Sequence, residues 1–379
     1  MIVISAQTFP PKSGGIEALM SGLASECVAA GYEVLVLADG RRGDDVLQPY
    51  KIERFRGPRP LRQRLKALRL RELAQSGKVE AIYTCSWKSV EAIGCKLLCP
   101  VVVFGHGNEF KASKSDRIHT ALQWASSLIC VSDETRRRAD GMIPEGTTVQ
   151  VINPPVQEPA PSSTDDRDWA EKQFGSSSAR ILSLSRLIPL KGHDQTIRAI
   201  AELVPDFPGI KLVIAGDGED HARLSTLAQD LGVRDHVVFT GRVEGGRKTA
   251  LFESANLFAQ PGRQIGQERE GFGITYLEAA LHGLASITGN QGGAPEAVIS
   301  DKTGYIVDGN SLDEIVEAFR KILSDNSNAQ KFSNAAREHG KAALWKNKIG
   351  EILAVAGLQA HHDVSLEVGR NDPFKGKDT

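Results

Sequence analysis

The 379-residue chain has no long apolar run, no cysteine pair at CxxC spacing and no excess of either charge. A membrane-spanning helix needs about 20 consecutive apolar residues, whereas the opening Met1-Ile-Val-Ile-Ser-Ala reads directly as a short strand. With neither a charged leader nor a spanning stretch, the expected setting is the cytoplasm, which allows a peripheral position at the inner face of the cell membrane. Five cysteines, Cys27, Cys85, Cys95, Cys99 and Cys130, are an odd number without zinc or redox spacing, and they read as reduced, buried thiols. Lys and Arg number 46 against 47 Asp and Glu, a net charge of −1, which argues against nucleic acid as a partner of the whole molecule. No Asp-x-Asp follows a predicted strand, and no His, Cys and carboxylate residues stand at metal-ligand spacing. No metal is expected, so any anion the protein handles must be balanced by its own cations and backbone amides.

What is present is alternation. Short β-branched runs at 2–5, 33–37, 81–84, 101–104, 128–131 and 149–152 are interleaved with helical patterns, as a parallel sheet with crossover helices requires. A Pro- and Ser-rich stretch from Asn153 onward interrupts the pattern, which resumes at 180–185, 211–215, 237–240, 257–259 and 285–287. The expectation is an α/β protein of two doubly wound, Rossmann-like domains facing a cleft. Residues 1–157 are read as the first domain, 158–168 as the linker and 169–343 as the second domain. Residues 344–360 are read as a helix returning to the first domain, and 361–379 as a flexible tail. Ligands in such sheets sit beyond the C-terminal strand ends, so the site is expected between the domains.

The most specific motif is a pair of glutamates eight residues apart, Glu270 and Glu278, in Glu270-Gly271-Phe272-Gly273-Ile274-Thr-Tyr-Leu-Glu278, with Gly292-Gly293-Ala294-Pro295-Glu296 after it. Apolar residues from Ile274 read as a helix start whose bare amides make an anion site. Upstream, the strand Ile181–Ser185 is followed by Arg186 and Lys191-Gly192, two cations suited to a diphosphate leaving group or, read alone, a solvated basic loop. Gly14-Gly15 lies between the first strand and helix, where Gly15 can bring amides to a phosphate or simply make the turn. His106, between Gly105 and Gly107, fits either a ligand or a structural histidine. Gly216, in Gly216-Asp217-Gly218, and the segment Gly241-Arg242-Val243 also follow strands.

Together these motifs resemble the E-x7-E and R-x4-K signatures of retaining GT-B glycosyltransferases of family four, over nearly the whole chain. The pattern is most similar to bacterial phosphatidylinositol-mannoside-type mannosyltransferases. The resemblance implies transfer of a hexose, mannose first, from a nucleotide sugar (GDP-mannose or a UDP-hexose) with retention, to a lipid-linked or glycan acceptor in cell-envelope or polysaccharide biosynthesis, and no further cofactor. It also assigns roles. The first domain would take the acceptor and the second the nucleotide sugar. Arg186 and Lys191 would neutralise the leaving diphosphate with Gly15 and residues Gly271, Phe272, Gly273 and Ile274, and Gly216 would shape the nucleotide pocket. Glu278 would hold the ribose, backbone near Val243 the base, and His106 the sugar; Glu270 would meet sugar hydroxyls or developing charge. Asn108 or Glu109 would meet the acceptor. Two other readings stand beside this one: a transferase acting on a soluble acceptor, and a nucleotide-binding GT-B protein without turnover. The chain departs from the family at Asn153-Pro154-Pro155-Val156, where Asn-Gly-Val-Asp is frequent.

Between Lys51 and Arg71 stand nine Lys or Arg and one Glu. Leu61, Leu65 and Leu68 share a helical face flanked by Arg62, Arg64, Lys66 and Arg69, the pattern of an interfacial helix on anionic lipid or, alternatively, of a core-facing helix with a solvated rim.

Overall fold

The computed structural model describes residues 1–12, 14–40, 45–324 and 326–361. The expected tail beyond His361 lies outside these residues. Among the described residues, seven strands form the first sheet: β1 Ile2–Ala6, β2 Val34–Asp39, β3 Lys51–Phe55, β4 Ala81–Thr84, β5 Val101–Gly105, β6 Ser127–Cys130 and β7 Thr148–Val151. Six form the second: β8 Ala179–Leu184, β9 Ile210–Ala215, β10 Val237–Gly241, β11 Leu257–Gln260, β12 Ala285–Gly289 and β13 Gly304–Val307. The orders are β3-β2-β1-β4-β5-β6-β7 and β10-β9-β8-β11-β12-β13, with every pairing parallel. These are doubly wound sheets of the expected class.

Central strands such as β1, β4, β5 and β6 are buried on both faces, which explains their largely apolar sequences. Strand order reverses at β1/β4 in one sheet and at β8/β11 in the other, where Ile2 pairs with both Val34 and Ala81, and Leu257 with both Ile181 and Ala285. Loops leaving these four strands open the crevice that such a reversal creates.

The chain crosses between the sheets twice, side by side. Val156 N–H donates to the Ala343 carbonyl at 2.9 Å, and Trp345 N–H to the Val156 carbonyl at 3.1 Å. The helix Thr164–Phe174 begins inside the stretch read as a linker, because Ser163 and Asp166 form a reciprocal capping box. The helix Trp345–Ala354 lies against the first domain: Tyr83 Oη donates to the Ile352 carbonyl at 3.1 Å, and the Trp345 indole covers Gly22. Cys27, Cys85, Cys99 and Cys130 are buried and unpaired; burial pushes the Cys27 and Cys130 thiols up to about 12, so neither is a reactive thiolate.

Candidate active site

The loop Ser185–Gly192 leaves the end of β8 and folds over the loop after β9. Leu187 N–H donates to the Asp217 carbonyl at 3.0 Å, and Gly216 N–H to the Gly241 carbonyl at 2.8 Å. Gly216-Asp217-Gly218 thus supports the cationic loop from beneath. At the other end, Gly192 has φ +74° and lies directly against the Pro261 carbonyl, so a side chain there would have to displace backbone. Held at both ends, the loop presents two cations. Arg186 is exposed and makes no ion pair among the described residues. Lys191 is half-buried, and its Nζ pairs with a Glu270 carboxylate oxygen.

Sequence reasoning passed over the residue that braces this loop. His193 is buried, with Nδ1 3.0 Å from Ser183 Oγ and Nε2 2.9 Å from Ser185 Oγ, one serine inside β8 and one at its end. Burial pushes the His193 imidazole down to about 4, so it is neutral near pH 7 and its two nitrogens serve as one donor and one acceptor. Its place directly after Lys191-Gly192 was the available signal.

Glu270 and Glu278 flank the start of the helix Ile274–Leu281, as their spacing suggested, with Gly273 at the cap. Glu270 precedes the amides and faces Lys191, while Glu278 lies in the second turn and accepts from Lys248 Nζ at 2.6 Å. Phe272 is buried and Ile274 half-buried, so the segment between the glutamates is anchored while its backbone stays near the cleft. Val243 packs against the same hydrophobic cluster.

The first domain closes the other side. A Cβ on Gly15 would lie 3.7 Å from Ile274 Cδ1, which brings the first helix start to the helix of the glutamate pair. A Cβ on Gly271 would lie 2.5 Å from the His106 carbonyl oxygen, so only glycine permits this approach. His106 Nε2 is 3.1 Å from the Cys85 carbonyl, which can only accept; Nε2 therefore carries a proton, and in the neutral tautomer Nδ1 is the acceptor. Glu109 is turned inward, accepting from the His106 N–H at 2.7 Å. Asn108 bonds the Arg269 backbone rather than standing free. Glu296 accepts from the N–H groups of Asp133 at 2.9 Å and Glu134 at 3.2 Å and from Asn153 Nδ2 at 3.3 Å, a bridge between domains that the Gly-Gly-Ala-Pro-Glu motif had flagged without a role.

Of the proposed membrane residues, Arg64 is exposed and makes no ion pair among the described residues. Arg62 pairs with Asp39 at 3.0 Å and Arg69 with Glu53 at 2.9 Å and Glu72 at 3.0 Å. Lys66 corrects the sequence reading. It is buried, with Nζ 2.6 Å from Asp39 and 3.0 Å from the Ala6 carbonyl, because its helix turns this side toward the sheet. Leu61, Leu65 and Leu68 are instead 48, 41 and 50 % exposed. Among the described residues, no group of three or more His, Cys, Asp or Glu could hold a metal ion, and no helix is long and apolar enough to cross a membrane.

Both halves of the chain match known proteins. A family model described as Glycosyltransferase Family 4 matches residues 13–158, and one described as Glycosyl transferases group 1 matches residues 165–339. The chain belongs to this glycosyltransferase family. Among curated relatives, the GDP-mannose-dependent alpha-(1-6)-phosphatidylinositol monomannoside mannosyltransferase of Mycolicibacterium smegmatis is 30% identical over 364 residues, covering 91% of this chain and 94% of the relative. The enzyme of the same description from Mycobacterium tuberculosis is 29% identical with the same coverage. Among solved structures, Anabaena Alr3699/HepE in complex with UDP matches with a TM-score of 0.74 at 20% identity, covering 93% of this chain and 98% of that one. Such neighbours share the GT-B fold.

Proposed function

We propose that the protein is a retaining, metal-independent hexosyltransferase that moves mannose from GDP-mannose to a lipid-linked or glycan acceptor in cell-envelope or polysaccharide biosynthesis. The observation that carries this reading is the pairing of Lys191 with Glu270 beside the unpaired Arg186 and the helix start at Gly273. Two cations on one loop and the amides of the helix start would balance the diphosphate charge that grows as the glycosidic bond breaks, and preorganised charge of this kind lowers the barrier without reorganisation. Glu278 would accept from ribose hydroxyls, with Lys248 fixing its carboxylate. His106 Nδ1 would accept from a sugar hydroxyl, and Glu270, balanced by Lys191, would hold sugar hydroxyls or the developing positive charge.

In this scheme the acceptor oxygen bonds to the anomeric carbon on the face that the diphosphate leaves. The carbon–oxygen bond to phosphate breaks, and the acceptor hydroxyl proton passes to the departing phosphate oxygen. Mannose as the sugar and GDP as its carrier are supported by relatives named for GDP-mannose-dependent transfer that match along almost their full length. A lipid-linked acceptor is supported by the same names and by the exposed leucines of the helix Arg59–Gln75. A peripheral site at the inner membrane face goes with that acceptor.

The test is release of nucleoside diphosphate from a panel of GDP-, UDP- and ADP-sugars, with and without EDTA. GDP-mannose should be turned over at an unchanged rate in chelator, and Lys191→Ala should lower turnover by about 100-fold or more. Rescue of an EDTA-inhibited enzyme by a divalent ion, or near-normal turnover in Lys191→Ala, would sink the charge assignment.

A further inference from the structure

The segment that carries Glu270 is held chiefly by the opposite domain. Asn108, three residues past β5, places Oδ1 3.2 Å from the Arg269 N–H and Nδ2 2.9 Å from the Arg269 carbonyl. The first group can only donate and the second only accept, so together they fix which way the amide points. The Arg269 guanidinium pairs with Glu134, also of the first domain, and Arg138 donates from both terminal nitrogens to the Gln267 carbonyl at 3.2 Å. Arg138 Nη1 also lies 3.4 Å from Asn108 Oδ1. On the far side, the second domain contributes Gly293 N–H to the Glu270 carbonyl at 2.9 Å.

We propose that Asn108 is a positioning residue that clamps the backbone of Arg269, so that contact between the domains, rather than the second domain alone, sets the placement of the Glu270 carboxylate. The inference rests on reading Glu270 as part of a glycosyl-transfer site, and it replaces the expectation that Asn108 meets the acceptor. Its physical content is a two-point restraint on the residue immediately before Glu270. Removing a single such restraint lets the carboxylate wander by a fraction of an ångström or more relative to Lys191, and displacements of about 1 Å can cost on the order of 100-fold in rate. The nucleotide side of the site, built on Arg186, Lys248 and Glu278, has no contact with Asn108 among the bonds described, so binding of a free nucleoside diphosphate should not depend on it.

The experiment compares the full-length protein with Asn108→Ala in two independent measurements, with GDP affinity as the control for folding. Amide hydrogen exchange in a peptide spanning residues 265–272 should speed up by about tenfold or more in the variant, because the Arg269 N–H loses its acceptor. In steady-state transfer, kcat should fall by about tenfold or more while the acceptor KM and the GDP Kd stay within about twofold. Unchanged exchange across 265–272 would overturn the clamp. So would a variant whose kcat is retained while its acceptor KM rises, since that pattern belongs to an acceptor ligand. If the unsubstituted protein turned over no nucleotide sugar at all, the proposed function would fail, and the exchange measurement would still decide the clamp.

Discussion

His193 shows how a single buried side chain can brace a cationic loop at its root. It spans Ser183 and Ser185 at the root of the loop that presents Arg186 and Lys191. Its folded-state pKa, about 4, lies below the ordinary histidine value of 6.5 because burial disfavours the charged imidazolium. The unfolded chain therefore binds a proton that the folded chain refuses between these two values, and stability falls with acidification across that window. The contribution is complete above pH 6.5, is lost progressively down to about 4 and levels off below; it amounts to on the order of 3 kcal/mol. His282 and His339, also lowered by burial, act in the same direction, so the diagnostic is a difference between variants. His193→Gln should be less stable than the parent at pH 7, with the gap between their melting temperatures narrowing toward pH 4.5. A gap that is constant with pH would remove the neutral buried histidine from the account.

At the scale of the element, the helix Arg59–Gln75 is unusual in pointing a lysine inward and leucines outward. Lys66 is tied to Asp39 and the Ala6 carbonyl at the ends of β2 and β1, while Leu61, Leu65 and Leu68 form an exposed stripe beside Arg64. A stripe of that composition suits the headgroup boundary of an anionic bilayer, where buried apolar area and basic charge add. Replacing Leu61 and Leu65 with Gln and Arg64 with Gln should weaken flotation with anionic liposomes several-fold and leave GDP binding unchanged. Flotation equal to that of the parent protein would make the stripe ordinary surface. The sequence made this helix legible through its leucine spacing, because i, i+4 and i+7 residues share a face wherever the helix sits. Which face met the sheet was not legible. That depended on Asp39, about 25 residues upstream, offering a partner strong enough to draw Lys66 inside, and pairings across a parallel sheet leave no local trace.

Across the whole molecule, the central strands of both sheets were readable as alternation, since buried parallel strands are largely apolar and their crossovers helical, whereas the edge strands β3 and β13 were not read. The cation pair and the glutamate pair were readable for a different reason: each sits within one loop and its adjoining helix, so spacing along the chain reports spacing in space. What sequence could not supply was the seam between the domains. Asn108 and Arg269 are 161 positions apart, and Glu296 caps amides at Asp133 and Glu134 that precede it by more than 160 and bear no motif of their own. The seam nevertheless determines the chemistry proposed for the cleft. His106 meets Gly271, the residue after Glu270, because the second domain's glycine rests on the first domain's carbonyl, while Glu270 pairs with Lys191 within the second domain. The proposed function assigns the cations and amides to the leaving diphosphate and the acceptor proton to the departing phosphate. That proposal is a same-face path, and its outcome is stereochemical. The one-bond carbon–proton coupling at the anomeric carbon of the sugar newly transferred from GDP-α-mannose measures it directly. The account predicts the coupling of an α-mannoside, the donor configuration retained; the coupling of a β-mannoside would contradict it.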